Sequence, residues 1–181
     1  MSKTNKVVSE TAMSDGFLGD TIQICVVTED FFRTIDGFVK LGVGPWRVYT
    51  FGPDSVSEQT YQGKPGAYSM RLALAFSGSM MWEVIQPLEG DSIYKDWLKK
   101  HGEGIQHVAQ SCGGMAFEAQ IEEFQRRGLK VVQSGFWRKE VRYAYIGTED
   151  LTGTTIELIG WPENYSLPEP EQWYPAPPPK S

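Results

Sequence analysis

Apolar and polar positions alternate with a period of two in several short runs of the chain, and apolar residues recur at helical spacing between them. Thr21 to Thr28 (TIQICVVT) is rich in β-branched residues and predicts a strand with Gln23, Cys25 and Val27 on one face. Glu29-Asp30 supplies an acidic helix entry, Phe31 to Lys40 carries the helical spacing, and Gly42 stops it. After the Gly44-Pro45 turn, Trp46 to Phe51 predicts a second strand. A polar stretch with Gly63, Pro65 and Gly66 leads, without an element of its own, into strands at Tyr68 to Phe76 and Met80 to Gln86. Pro87 ends the last of these.

The second half repeats that order. Gly104 to Ser111 (GIQHVAQS) predicts a strand, Cys112-Gly113-Gly114 a turn, and Met115 to Arg127 a helix stopped by Gly128. Strands follow at Leu129 to Gln133, Tyr143 to Gly147 and Thr154 to Ile159, with a turn at Glu149 to Gly153. A short helix, Ile93 to Lys100, opened by Asp91-Ser92, joins the halves. The pattern β-α-β-β-β thus occurs twice. It predicts an α+β fold of two paired βαβββ modules forming a curved mixed sheet around a central metal cleft. Residues 1–18 read as a flexible arm, 19–89 as module one, 90–103 as a linker helix, 104–161 as module two, and 162–181 as a Pro-rich tail. Proline at that density forms neither helix nor central strand, so the tail is expected to be extended. Trp173 and Tyr174 are its candidate anchors, on the body or on a second subunit.

Composition narrows the function classes. A chain of 181 residues with 40% hydrophobic and 22% charged residues is ordinary for one compact domain. Its aromatic share, 13% with six Trp, points to a pocket or interface lined with rings. A net charge of −6 with scattered Lys and Arg argues against general binding to nucleic acid or anionic membrane. Cys25 and Cys112 form no disulfide framework or CxxC pattern, so buried free thiols and a reducing compartment are expected. The polar start has no continuous apolar stretch of the signal-peptide kind, and no window approaches the roughly 18 apolar residues of a membrane span. A cytoplasmic protein is expected.

The candidate chemistry lies on four strands. The first strands of the two modules offer Gln23 and His107, the last strands Glu83 and Glu157. Strand alternation sets each among apolar neighbours on a face turned toward a common cleft. A charge on such a face is costly unless it is paired or bound to a cation. Each residue has a plainer reading by itself: a satisfied core histidine, a hydrogen-bonded amide, or a glutamate paired with an arginine such as Arg71. Matched placement in two modules is what favours a shared ion. One imidazole, one amide oxygen and two carboxylates suit one divalent metal ion per chain, Zn, Co, Ni, Mn or Mg, with positions open for substrate. Such an ion polarises a carbonyl, and Glu157 or Glu83 is placed to move a proton on the adjacent carbon.

The run PLEGDSIYKDWLKKHGEGIQHVA, from Pro87 to Ala109, resembles the inter-module segment of methylmalonyl-CoA epimerases and their relatives in the glyoxalase/bleomycin-resistance (vicinal oxygen chelate) superfamily. TEDFF, LGVGPW, WEVIQP and GTTIELIG resemble the same family, so that the likeness spans Thr21 to Gly160. It implies a metal at the centre of the cleft and a homodimer. It also implies that His107 is the metal histidine of the second module and that Glu157 is a glutamate ligand doubling as a base. Glu83 falls where glyoxalase I enzymes have Glu, and Gln23 where eukaryotic-type glyoxalase I has Gln, so the ligands resemble glyoxalase I while the surroundings resemble the epimerase. The epimerase takes a second catalytic carboxylate from the strand preceding the first-module ligand strand. Gly66 to Ser79 contains no Asp or Glu, a departure that counts against two-base epimerisation.

The leading expectation is a metal-dependent isomerase, epimerase or lyase acting next to a metal-polarised carbonyl, on a small-molecule carbonyl substrate of apolar or aromatic character. A non-catalytic small-molecule-binding protein of the same fold is the first alternative. A metal-dependent oxygenase is the second, although His101, the other histidine, lies in the linker.

Overall fold

The computed structural model describes residues 16–179. The arm expected over 1–18 lies outside the described residues except for its last three. There the Phe17 ring packs edge-on against Phe124, with centroids 4.9 Å apart. No helix among the described residues is long and apolar enough to cross a membrane.

The strands are β1 (Thr21–Val27), β2 (Trp46–Phe51), β3 (Val56–Tyr61), β4 (Lys64–Pro65), β5 (Met70–Ser77), β6 (Met80–Pro87), β7 (Gly104–Ser111), β8 (Val131–Trp137), β9 (Val141–Ile146), β10 (Thr155–Gly160) and β11 (Gln172–Tyr174). The helices are α1 (Phe31–Lys40), α2 (Ile93–His101), α3 (Phe117–Arg126) and α4 (Glu149–Thr152). One mixed sheet holds all the strands in the order β11-β2-β5-β6-β1-β7-β10-β9-β8-β3-β4. Its inner eight are two copies of the same arrangement, β2-β5-β6-β1 and β7-β10-β9-β8, joined where β1 pairs antiparallel with β7. In each copy the first strand runs parallel to the last, β1 with β6 and β7 with β10.

Local chemistry accounts for the helices. Asp30 caps α1 by accepting from the Arg33 N–H at 3.1 Å, and Ser92 caps α2 by accepting from Lys95 N–H at 3.4 Å. Helix α1 covers the outer face of the first half, where Phe31 and Ile35 pack with Trp46, Val48, Ala73, Ala75 and Val84. Helix α2 instead belongs to the core of the concave side. Its Ile93, Tyr94 and Trp97 pack in one cluster with Cys25, Ile85 and Ala109.

Several elements differ from the sequence expectation. The polar stretch after β2 contains the hairpin β3–β4, which pairs with β8, the opposite end of the inner eight strands. Its polarity follows from its place: at a sheet end only Val56 and Gln59 of β3 are buried, so no apolar alternation is required. Helix α3 begins two residues later than expected, β8 runs on to Trp137, and the turn after β9 contains the single-turn helix α4. In the extended tail, Gln172–Tyr174 forms β11 on the free edge of β2. The tail is tied down side chain by side chain. Tyr49 donates its hydroxyl to the Pro168 carbonyl at 2.7 Å, and the Glu171 carboxylate accepts from Thr50 N–H at 2.8 Å and Thr50 Oγ1 at 2.9 Å. Arg47 lies 4.3 Å over the Trp173 ring, and Tyr174 hydrogen-bonds Asp36.

Because β3 leaves β2 after four residues and joins β8, the sheet must curve until its two ends approach. Rings fill the junction: Phe51 stacks on Trp137 with centroids 4.6 Å apart, and Tyr49 meets Trp137 edge-on at 5.5 Å. Trp137→Ala should therefore lower the unfolding free energy by about 3–5 kcal/mol, the usual cost of removing a buried large aromatic. Urea unfolding followed by circular dichroism measures it, and a loss under about 1 kcal/mol would mean that this junction does not hold the cleft closed.

Candidate metal centre

Curvature turns the inner faces of β1, β6, β7 and β10 toward one another, and each of the four sequence-selected residues lies on one of those faces. Gln23, Glu83, His107 and Glu157 are all buried, with His107 fully so. The Gln23 amide donates from Nε2 to Glu83 Oε2 at 2.6 Å, and His107 Nε2 is 3.1 Å from the same oxygen. His107 Nε2 is also 3.3 Å from Glu157 Oε2, an ion-pair contact in which the buried carboxylate oxygen has no hydrogen bond. The structure brings all four together. Arg71, the alternative partner for a glutamate, lies elsewhere, its guanidinium over the Phe31 and Phe32 rings at 5.6 and 5.7 Å.

Supporting contacts orient the imidazole. Its Nδ1 lies 2.6 Å from the side-chain oxygen of Gln106, whose amide nitrogen donates to Thr155 Oγ1 at 3.2 Å. An amide oxygen can only accept, so Nδ1 carries a proton and Nε2 faces the carboxylates. Burial by itself would lower the His107 pKa, but the Glu157 and Glu83 carboxylates outweigh it and raise it to about 9. For Glu157, burial raises the carboxyl pKa, with Glu83 adding to the rise and His107 opposing it. The Tyr145 ring meets His107 edge-on at 4.9 Å, and Tyr94 donates its hydroxyl to Tyr145 at 2.8 Å. Burial first, then neighbouring charge and hydroxyls, keep the Tyr94, Tyr143 and Tyr145 hydroxyls protonated well above their usual range.

Over this polar floor lies a small cavity of about 50 Å³, below the span of drug-sized ligand sites. Gln23, Glu83 and Glu157 line it, and so do Met70, Leu72 and Leu74 of β5 opposite Tyr143 and Tyr145 of β9. Phe51, Trp137 and Trp161 complete an aromatic border. Tyr143 reaches across β8 because position 135 is glycine: a Cβ there would collide with the tyrosine hydroxyl. That hydroxyl lies 2.8 Å from the Tyr68 hydroxyl, which also donates to the Ser134 carbonyl at 3.2 Å.

The donors fit a divalent cation. Two buried carboxylates and an imidazole share one small volume, and His107 offsets the burial of the Glu157 carboxylate only in part. One neighbour was not selected from the sequence. Cys25, read there as a structural thiol, places its sulfur with Glu83 and His107 so that their donor atoms all lie within 4.8 Å of one another. His101, the second histidine, is on the surface against Glu149 at 2.8 Å.

The sequence profile described as the Glyoxalase/Bleomycin resistance protein/Dioxygenase superfamily matches residues 22–145. No curated protein sequence matches the chain significantly. Among solved structures, methylmalonyl-CoA epimerase from Mycobacterium tuberculosis is similar with a TM-score of 0.62 at 19% identity, over 83% of this chain and 93% of that one. A hypothetical protein from Bacillus halodurans gives 0.62 at 18% identity, over 82% and 98%. Streptomyces coelicolor methylmalonyl-CoA epimerase in complex with 2-nitronate-propionyl-CoA gives 0.52 at 18%, over 80% and 98%. At these identities the likeness is one of fold.

Without a cation, burial disfavours the charged Glu157 carboxylate, and His107 offsets this only in part. Glu157→Gln should raise the stability of chelator-treated protein by about 1–2 kcal/mol, the order of cost of an unsatisfied buried polar group. Thermal melts in the presence of chelator measure this, and a lower melting temperature would mean that the carboxylate is structurally required.

Proposed function

The chain belongs to the Glyoxalase/Bleomycin resistance protein/Dioxygenase superfamily, and we propose that it is a metal-dependent isomerase or lyase that moves a proton on the carbon beside a substrate carbonyl. The observation that carries this reading is the clustering of Gln23, Glu83, His107 and Glu157, three of which line a mostly apolar cavity, with one Glu157 oxygen lacking a hydrogen bond. A divalent cation held by these residues supplies Lewis acidity, polarising the carbonyl and offsetting the charge that builds on its oxygen as the C–H bond breaks.

The two glutamates take different parts. Glu83 is held through one oxygen by both Gln23 and His107, which suits a fixed ligand. Glu157 has an oxygen without a hydrogen bond, and burial favours its protonated form, so it can both take a proton and hold it for return. The Gln106 contact keeps His107 Nε2 aimed at this pair.

The wall across the cavity supports a one-sided reaction. Strand β5 precedes the Glu83 strand and is the place where the resembling epimerases carry a second carboxylate; here it presents Met70, Leu72 and Leu74. The titratable groups lining the cavity are Glu83, Glu157, Tyr143 and Tyr145. Proton removal and return therefore occur on one face, which fits an isomerase or lyase better than an epimerase. Methylmalonyl-CoA is the ligand of one similar epimerase structure, but the aromatic border and apolar wall favour a small carbonyl compound of apolar or aromatic character. An oxygenase built on two histidines and a carboxylate is disfavoured, because His101 is held at the surface by Glu149.

Elemental analysis should find about one divalent ion per chain in wild type, or after incubation with Zn, Co, Ni, Mn or Mg, and none in His107→Ala. No ion in either protein would turn the four residues back into structural ones and favour a non-catalytic binding protein. With carbonyl substrates bearing an acidic α-proton, Glu157→Gln should lose roughly 10²–10⁴-fold in turnover, the usual worth of a positioned acid–base group. In D₂O, a substrate recovered after exchange should carry deuterium with its configuration retained. Racemised substrate would overturn the one-face reading.

A further inference from the structure

Between two of the donors, Glu83 and His107, stands a third polar side chain. Cys25 is paired through its Cα with Glu83 on the β6 side and with His107 on the β7 side, so its side chain rises between theirs. It is completely buried. Its sulfur, a Glu83 oxygen and a His107 ring nitrogen lie within 4.8 Å of one another, the three-donor cluster of this kind among the described residues. A second observation points to a ligand at the same place: the buried Glu157 Oε2, which has no hydrogen bond, lies 3.3 Å from the same imidazole. The other cysteine has no such setting, since Cys112 is half-buried and donates to the Ile159 carbonyl at 3.5 Å.

We propose that Cys25 is a thiolate ligand of the cation in this centre, beside the Glu83 carboxylate and the His107 imidazole, and that the centre consequently selects borderline ions such as Zn²⁺ or Co²⁺ over Mg²⁺. The inference rests on the reading of this cluster as a metal centre. Its charge balance is simple. On binding, the S–H bond breaks, the proton leaves to solvent and a sulfur–metal bond forms. One thiolate and the Glu83 carboxylate then balance the two charges of the ion, and Glu157 is the ligand that exchanges a proton. Thiolate is a soft donor, whereas Mg²⁺ keeps to hard oxygen ligands and gives up its water reluctantly.

The test uses full-length protein stripped of metal: wild type, Cys25→Ser, Cys112→Ser and His107→Ala, each titrated with cobalt(II) and followed by absorption, with zinc and magnesium as competitors. Wild type and Cys112→Ser should develop a near-ultraviolet thiolate-to-cobalt charge-transfer band, saturating at about one ion per chain. Zinc should displace the cobalt and magnesium should not. Cys25→Ser should lose the band and bind at least roughly 10- to 100-fold more weakly, the cost of removing even a supporting contact to a metal site. Matching far-ultraviolet circular dichroism of wild type and Cys25→Ser shows that the variant folds; should it not fold, the wild-type and Cys112→Ser bands decide. Cobalt bound in a His107-dependent way with no charge-transfer band overturns the Cys25 proposal and leaves the metal centre standing. A band that disappears in Cys112→Ser also overturns it. Failure of wild type to bind cobalt, zinc or magnesium overturns both readings.

Discussion

The antiparallel seam between β1 and β7 is the constraint on which the rest depends. It sets Cys25 opposite His107 and Gln23 opposite Ala109, while the parallel pairings to β6 and β10 set Glu83 beside Cys25 and Glu157 beside Ala109. Side chains on one face of adjacent strands stand about 5 Å apart. Register alone therefore gathers five polar donors into a buried patch. A slip of one residue in β1 would turn Gln23 and Cys25 to the opposite face and dismantle the cluster. Burying two carboxylates so close together opposes folding unless something positive joins them. In the metal-free protein His107 does so in part, its charged form favoured by both glutamates.

Around that patch the molecule excludes water. Helix α2 brings Tyr94 and Trp97 into the core of the concave side, and Tyr94 both bonds Tyr145 and lies near His107, their ring centroids 6.4 Å apart. At the two ends of the inner sheet, the passage of the chain from β2 into β3 draws β2 toward β8 and stacks Phe51 on Trp137. The tail strengthens the β2 side by taking its free edge, so that hydrogen-bonding groups otherwise open to another chain are occupied. A site of low polarity strengthens the interaction of its few charged groups with any charge that develops inside it. The apolar side chains of β5, Met70, Leu72 and Leu74, contribute to that low polarity.

Much of this was legible before any tertiary structure. The period-two runs and helical spacings placed β1, α1, β2, β7 and α2 within a residue of their ends, because those segments carry strong alternation and clear caps at Asp30 and Ser92. Gln23, Glu83, His107 and Glu157 stood out as polar residues on apolar faces at matched positions of a repeat, and the four are neighbours in space. The reading failed where local pattern is weak or chemistry is ambiguous. The β3–β4 hairpin is too polar to be told from a loop, since end strands bury little. A cysteine in a β-rich run reads as a small apolar residue, so nothing local distinguishes Cys25 from an ordinary core thiol.

The sequence by itself determined most of the inner strands and longer helices, their repeated order and which residues share a strand face, because those follow from side-chain size, branching and spacing over a few positions. Only the tertiary structure decided which faces meet. The approach of Cys25 to Glu83 and His107, the approach of Glu157 to the same imidazole and the closing of β2 toward β8 join positions far apart in the chain. Such contacts depend on strand register and sheet curvature, which are set by the packing of the whole core and leave no trace in a short window of sequence.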